Sequence, residues 1–121
     1  MTNGELFLNL TMEARTMLKS RTTTNKKLPN VHPGEVLKEE FLLPMNVSAY
    51  RLAKEINVPE TRISQIVRGK RAVTADTAIR FAKIFGTTAE FWLNLQNLYD
   101  LEEEESQHSA EFESIKMYAY A

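Results

Sequence analysis

A run of polar and basic side chains lies between residues 58 and 72, in the sequence VPETRISQIVRGKRA. Apolar residues recur at helical spacing in its first part, so the polar residues share the outer face of a predicted helix over about residues 59–67. The candidate contacts on this helix and directly after it are Thr61, Arg62, Ser64, Gln65, Arg68, Lys70 and Arg71. In duplex DNA, glutamine can pair with adenine and arginine with guanine, while basic side chains hold phosphates. These residue types at this spacing therefore predict a helix that binds in the major groove of DNA.

The residues before this helix predict a second helix that packs steeply against it. Ser48 is a favourable N-cap for a helix over residues 49–56, and Asn57 tolerates the left-handed backbone of a tight turn. Ala53 is small enough to let the following helix approach. The apolar residues expected to hold the two helices together are Leu52, Ile56, Val58, Ile63 and Ile66. This pattern predicts a helix-turn-helix, in which Ser48 and the N–H groups from Ala49 onward could hold a further phosphate.

Three more helices are predicted around this pair. The first starts at Pro33, which suits the first turn of a helix, and is expected to stop at Pro44. The fourth lies between the N-cap Thr74 and Gly86, and the fifth begins after the N-cap Thr88. The predicted buried face of the fourth helix is Ala78, Ile79, Ala82, Ile84 and Phe85. The apolar stripe of the fifth helix is Phe91, Trp92, Leu95, Leu98, Tyr99 and Leu101, and its solvated end is expected at residues 102–105.

The predicted fold is therefore all-α, with a phage-repressor-like domain of five helices over residues 31–101. An N-terminal extension or linker occupies residues 1–30, and an acidic tail occupies residues 102–121. Apolar residues at helical spacing between Gly4 and Leu18 could form a short partner-binding helix, or they could belong to a dispensable tail. After Ser106 the pattern is weak, and residues 110–120 could form a further helix or a short strand.

Charge is unevenly distributed along a chain whose formal net charge is −1. Residues 48–71 hold six basic side chains against two acidic ones, whereas residues 74–121 hold nine acidic against three basic ones. The basic middle favours an anionic partner. The acidic half favours separation from that partner, or a basic partner of its own. A protein-binding module that neutralises a basic protein with little DNA contact is therefore an alternative function.

The residues that most enzymes and metal sites require are scarce. The 121 residues contain no cysteine and only two histidines, His32 and His108, which lie in different regions. The sequence has no glycine-rich phosphate-binding loop and no His-x-x-x-His pair. We therefore expect no catalytic residue, no metal site and no cofactor, and we expect His32 to cap or pack near the first helix. The apolar runs are too short to span a membrane, and the lack of cysteine fits a reducing compartment.

A dimer is expected because one helix-turn-helix reads only a few base pairs, and two-fold pairing doubles the contact with DNA. The candidates for its seam are Phe91, Trp92, Leu95 and Leu98. We expect some of them to close the core of the subunit and others to face the partner subunit.

Residues 32–101 resemble the HigA/VapI family of antitoxins, within the larger XRE group of phage-repressor-like DNA-binding proteins. The specific pieces are HPGE, RISQIVRGKRAVTADTAIRFAKIFGT and FWLNLQ. The resemblance implies a bacterial, cytoplasmic homodimer that binds a palindromic operator and represses its own operon. On the family's pattern, base contacts fall near Thr61, Arg62 and Gln65.

The same resemblance implies a partner toxin of the HigB type, a small basic RelE-like ribonuclease that cuts messenger RNA at the ribosome. Some members of this branch have no neighbouring toxin gene. A solitary XRE-type transcriptional repressor is therefore the other alternative.

Overall fold

The computed structural model describes residues 30–119, and all regular secondary structure in this range is helical. Helix α1 has three consecutive segments, Pro33–Val36, Leu37–Leu42 and Leu43–Met45. It is followed by α2 (Ala49–Glu55), α3 (Glu60–Val67), α4 (Ala75–Phe85) and α5 (Ala89–Glu113). The prediction of an all-α fold with five helices is confirmed. The apolar stripe predicted between Gly4 and Leu18 lies outside the described residues.

Most helix ends lie where the sequence predicts them. Ser48 and Thr88 cap α2 and α5, because their side-chain oxygens accept hydrogen bonds from the N–H groups of Arg51 and Phe91 at 3.0 Å. Asn57 and Gly86 take the left-handed backbone expected of them, with φ of 61° and 73°, and Gly69 takes it just after α3, with φ of 75°.

Thr74 also occupies the predicted N-cap position, before α4, but its side chain makes no capping bond to the backbone. Its hydroxyl lies 3.5 Å from that of Thr77 instead.

Helix α1 differs from the prediction at its end, because it continues through Pro44 to Met45. Its middle segment, Leu37–Leu42, is a π-helix, and the N–H of Leu43 donates to the carbonyl of Lys38 five residues back. Proline has no N–H to donate, and its ring crowds the carbonyl of the preceding turn. A wider turn relieves this crowding. The prediction that Pro44 stops the helix is wrong; Asn46, with a left-handed φ of 55°, ends it instead.

An aromatic cluster around Trp92 joins α1, α4 and α5. The Trp92 side chain is fully buried, and its ring centroid lies 5.2 Å from that of Phe41 on α1 and 4.9 Å from that of Phe81 on α4. Phe91 and Phe85 extend the cluster, with centroids 5.0 and 6.1 Å from Trp92. Since aromatic side chains bury large apolar areas, this cluster fixes α4 and α5 to the first helix.

The buried face of α4 is only partly the predicted one. Ala78 and Phe85 are buried as expected, but Ile79 and Ile84 are 52% and 38% exposed. Phe81 and Thr77 are buried instead. The helix packs on α5 and the aromatic cluster along positions 77, 78, 81 and 85, and this direction turns Ile79 and Ile84 outward. Their assignment to the buried face is wrong.

Helix α5 is longer than predicted, because it continues past residues 102–105 to Glu113. A local departure from helical geometry occurs at His108, with φ −129° and ψ 27°. Residues 115–119 have no regular structure. Within residues 30–119, none of the helices has the length and apolar character needed to cross a lipid bilayer.

Candidate nucleic-acid interface

Helices α2 and α3 form the predicted helix-turn-helix. Ala53, Leu52 and Ile63 are buried between them, and the N–H of Val58 donates to the carbonyl of Ala53 at 3.0 Å. Ile56 and the remaining apolar residues of the predicted set also belong to this contact, with Val58 partly buried at its edge. The small, buried side chain of Ala53 lets α3 approach α2 closely, and the left-handed backbone of Asn57 turns the chain between the two helices.

Gly34 brings the start of α1 against the end of α3. A Cβ atom at position 34 would lie 2.6 Å from the carbonyl carbon of Ile66, and still closer to its oxygen. Real Cβ atoms essentially never approach within 3.0 Å, so only glycine permits this contact. Sequence reasoning missed the role of Gly34, because the contact joins residues that are distant in the chain. It fixes the position of the last turn of α3. The basic segment of residues 68–71 follows directly after that turn.

His32 supports the same junction. Its Nδ1 accepts a hydrogen bond from the N–H of Gly34 at 2.9 Å, so it caps α1 as expected. Its ring packs edge-on against Tyr99 of α5, with centroids 4.8 Å apart. Burial lowers the pKa of the His32 imidazole below its ordinary value near 6.5, although Asp100 and Glu35 oppose this effect. The neutral ring is the form that can accept the capping bond.

Gln96 holds the connection between α3 and α4, and sequence reasoning also missed it. This buried side chain accepts a hydrogen bond from the N–H of Val73 at 2.8 Å and donates to Asp100 at 2.9 Å. The sequence signal for this role is a polar residue, Gln96, within the apolar stripe of α5. Through Val73, Gln96 anchors the chain directly after Lys70 and Arg71.

The predicted DNA contacts are brought together on one surface. Thr61 is exposed, while Arg62, Ser64 and Gln65 are partly exposed on the outer face of α3. Arg68, Lys70 and Arg71 are exposed just beyond its C-terminal end. Ser48 is exposed at the start of α2, where its hydroxyl already caps the helix, and Ala49 beside it is partly buried. We call the set of predicted residues on and after α3 the recognition surface.

The two predicted base readers have hydrogen-bond partners within the chain. The Gln65 Oε1 accepts from the Arg71 Nε at 2.8 Å, and the Arg62 Nη1 lies 2.6 Å from the Asp76 Oδ2. Further along, the Arg68 Nε donates to the backbone carbonyl of Ser64 at 3.3 Å. These contacts order long side chains that would otherwise sample many rotamers.

Asp76 is the centre of a larger ionic network. The Arg80 Nε lies 3.1 and 3.3 Å from its two carboxylate oxygens, and the Arg80 Nη1 donates to the carbonyl of Ile56 at 2.8 Å. Hydrogen bonds from Arg80 and Arg62 lower the pKa of the Asp76 carboxyl below its ordinary value. The sequence indicates an acid that favours the dipole of α4; it does not indicate this link between three helices.

The residues predicted for a dimer seam fall into two groups. Phe91, Trp92 and Leu95 are buried in the core of the subunit, so they have almost no surface to offer a partner. Leu98 is 52% exposed. It is therefore the one of the four that remains available at a subunit interface.

No cluster of three or more potential metal-binding side chains occurs in the part of the chain that the structure describes. Every buried side-chain nitrogen and oxygen within residues 30–119 has a hydrogen-bond partner. The candidate site in the described region is the exposed polar surface on α3.

Comparison with known proteins agrees with this geometry. A helix-turn-helix family model matches residues 37–92. Virulence-associated protein I of Dichelobacter nodosus is 52% identical over 75 residues, which are 62% of this chain and 69% of the relative. The solved structure of an addiction module antidote protein of the HigA family from Coxiella burnetii is 43% identical, with a TM-score of 0.71. The match covers 75% of this chain and all of that one. The chain belongs to the HigA/VapI family.

A second solved structure of the HigA/VapI family contains DNA. It is antitoxin HigA of Pseudomonas aeruginosa with the higBA promoter, and it is 35% identical to this chain with a TM-score of 0.72. The alignment covers 75% of this chain and all of the Pseudomonas chain. In that relative, therefore, the shared fold is found with promoter DNA.

Proposed function

We propose that the chain is a sequence-specific DNA-binding antitoxin that represses its own operon. The observation that carries this proposal is the recognition surface, in which Arg62 and Gln65 lie on the outer face of α3 with basic side chains beside them. The Pseudomonas relative with promoter DNA supports the same assignment. A binding protein of this kind needs no catalytic residue.

In this proposal α3 enters the major groove of the operator. Arg62 and Gln65 contact base edges, with Thr61 and Ser64 at bases or phosphates. Arg68, Lys70 and Arg71 contact phosphates and set the register on the duplex. In the same proposal, Ser48 and the N–H of Ala49 at the start of α2 contact a further phosphate of the DNA backbone.

A homodimer is part of the proposal, because a palindromic operator requires two copies of the recognition surface. Exposed apolar side chains outside that surface support an interface along α4 and α5. They are Ile79, Ile84, Leu98 and Leu101. Exposed leucine and isoleucine side chains mark a subunit interface where they form one contiguous patch.

The proposed protein partner is a basic, RelE/HigB-like toxin that cleaves messenger RNA. The family's members named as antidotes and antitoxins support this partner. The acidic distal part of α5, with residues 102–105 all glutamate, is of the charge that a basic partner would meet. The alternatives are a solitary XRE-type repressor, and a protein that neutralises a toxin with little DNA contact.

The test is fluorescence anisotropy of the purified chain on DNA from upstream of its own gene, with a scrambled duplex for comparison. We expect tight binding to the first, weak binding to the second and a steep decrease in affinity with salt. Arg62→Ala and Gln65→Ala should each weaken operator binding by about 1–3 kcal/mol.

Matched controls come from α5 and the segment that follows it. Gln107→Ala removes an exposed amide, and Lys116→Ala removes an exposed positive charge, both far along the chain from α3. Neither should change the preference for the operator. Equal, weak binding of the unaltered chain to both duplexes would contradict operator recognition and favour the protein-binding alternative. Co-purification with the product of a neighbouring gene, in the presence and absence of DNA, then separates an antitoxin from a solitary repressor.

A further inference from the structure

The guanidinium group of Arg62 is held from outside the recognition helix. Only 28% of the Arg62 side chain is exposed, and its Nη1 reaches the Asp76 carboxylate on α4 at 2.6 Å. That carboxylate is itself held by the Arg80 Nε, and the Nη1 of the same guanidinium group donates to the carbonyl of Ile56 at the end of α2. A residue predicted to read DNA is therefore connected to both neighbouring helices before any DNA is bound.

Two roles for such a carboxylate can be distinguished. It could compete with DNA for Arg62, or it could hold Arg62 in a conformation that suits DNA. The contact engages only Nη1, and in the described part of the chain the Arg62 side chain makes no other hydrogen bond. Its Nε–Nη2 edge therefore keeps the two parallel donors that a bidentate contact with guanine needs. This geometry favours a carboxylate that holds Arg62 in a conformation suited to DNA over one that competes with DNA for Arg62.

We propose that Asp76 is a positioning residue for DNA recognition, which holds the Arg62 side chain so that its Nε–Nη2 edge is available to a guanine of the operator. The inference rests on the proposed function. Its physical basis is preorganisation: a guanidinium already fixed in one rotamer loses less entropy on binding than a free one. Arg80 and the carbonyl of Ile56 supply the support behind the carboxylate.

For the change in operator affinity on Asp76→Asn, the proposal predicts the opposite sign to the one that simple electrostatics predicts. Asp76 carries a negative charge beside a surface that binds an anion, so Coulomb repulsion alone predicts that Asp76→Asn strengthens binding to any duplex. Positioning predicts that the same substitution weakens operator binding by about tenfold. Affinity for the scrambled duplex should stay unchanged or increase.

The experiment is a double-mutant cycle with Asp76→Asn, Arg62→Ala and the combined variant, measured by anisotropy on the operator and the scrambled duplex. Glu60→Gln calibrates the general charge effect, because it removes a carboxylate from the first turn of α3. Asp76→Glu keeps the charge but displaces the carboxylate by one methylene, and it should also lose operator affinity. Both Asp76 variants should unfold near the temperature of the unaltered chain, because Asp76 is exposed and such pairs contribute little stability.

The outcomes separate this inference from the proposed function. Loss of operator affinity that disappears in the Arg62→Ala background supports positioning through Arg62. A loss that persists in that background, or a parallel gain on both duplexes, overturns it. If the unaltered chain itself fails to distinguish the duplexes, the proposed function fails. If the unaltered chain distinguishes them and Asp76→Asn does so equally well, only the inference fails.

Discussion

The junction between α1 and α3 allows a sharp test through Gly34→Ala. Helix propensity alone predicts that this change stabilises the protein by about 1 kcal/mol, because alanine is the better helix former. The structure predicts the opposite sign. The new Cβ atom would lie 2.6 Å from the carbonyl carbon of Ile66 and 3.0 Å from the Val67 Cα.

The size of the effect follows from these distances. Ordinary van der Waals contact begins at 3.4 Å, and the Ile66 carbonyl oxygen would lie nearer to the new Cβ than the carbonyl carbon does. The start of α1 must therefore move away from the end of α3 by more than about 1 Å. The clashing atoms belong to the backbone and cannot rotate away as a flexible side chain can. Overpacking of this kind costs about 1–3 kcal/mol. For a domain of this size, a loss of about 2 kcal/mol lowers the unfolding midpoint by roughly 10 °C.

The assay is thermal and urea unfolding followed by far-ultraviolet circular dichroism, with Lys38→Ala as the control at an exposed position of α1. We expect Lys38→Ala to leave the free energy of unfolding within about 0.5 kcal/mol of the unaltered chain. Because the last turn of α3 leads into the basic segment, Gly34→Ala should also weaken DNA binding. A Gly34→Ala variant as stable as the unaltered chain would refute the close contact between the two helices.

Three other changes test separate features. Ala53→Leu should force α2 and α3 apart and lower the free energy of unfolding by about 1–3 kcal/mol in urea denaturation; full stability would contradict the packing of the helix-turn-helix. His32 has a lowered folded-state pKa, so the unfolded chain binds more protons below about pH 6.5, and stability falls as pH decreases through that value. His32→Asn keeps a capping oxygen without titrating there, so its urea midpoint should depend less on pH between about 7.5 and 5; an unchanged dependence would assign the effect to other groups. Leu98→Glu should shift sedimentation towards the monomer while the circular dichroism spectrum stays unchanged, and an unaltered dimer would exclude Leu98 from its seam.

Local signals in the sequence predicted the helix ends well. Ser48, Thr88 and Gly86 act within one turn of their own positions, so their capping and left-handed roles depend little on the rest of the fold. The helix-turn-helix was also predictable, since its contacts join residues close together in the chain. The same short range explains why the polar face of α3 could be recognised before the fold was known.

Contacts between distant residues could not be predicted in this way. Pro44 indicates a helix end locally, but the π-helical segment before it lets α1 continue. Periodicity marks Ile79 as apolar without showing which side of α4 packs on α5. The partnership of Arg62 with Asp76, and the close approach of Gly34, depend on how whole helices cross. The outward position of the polar residues of α3 could thus be predicted, but the contacts that hold their side chains could not.

The length of α5 has a consequence for the dynamics of the chain. Its 25 residues have a summed helical rise of about 37 Å, yet its buried side chains all lie between Phe91 and Gln96. An isolated helical segment with no packed face is only marginally stable in water. Amide hydrogen exchange should therefore be slow in the first turns of α5 and fast beyond Asp100. Residue 101 would then mark a step in local unfolding free energy within α5, ahead of the departure from helical geometry at His108, and a partner covering the distal half would slow exchange there.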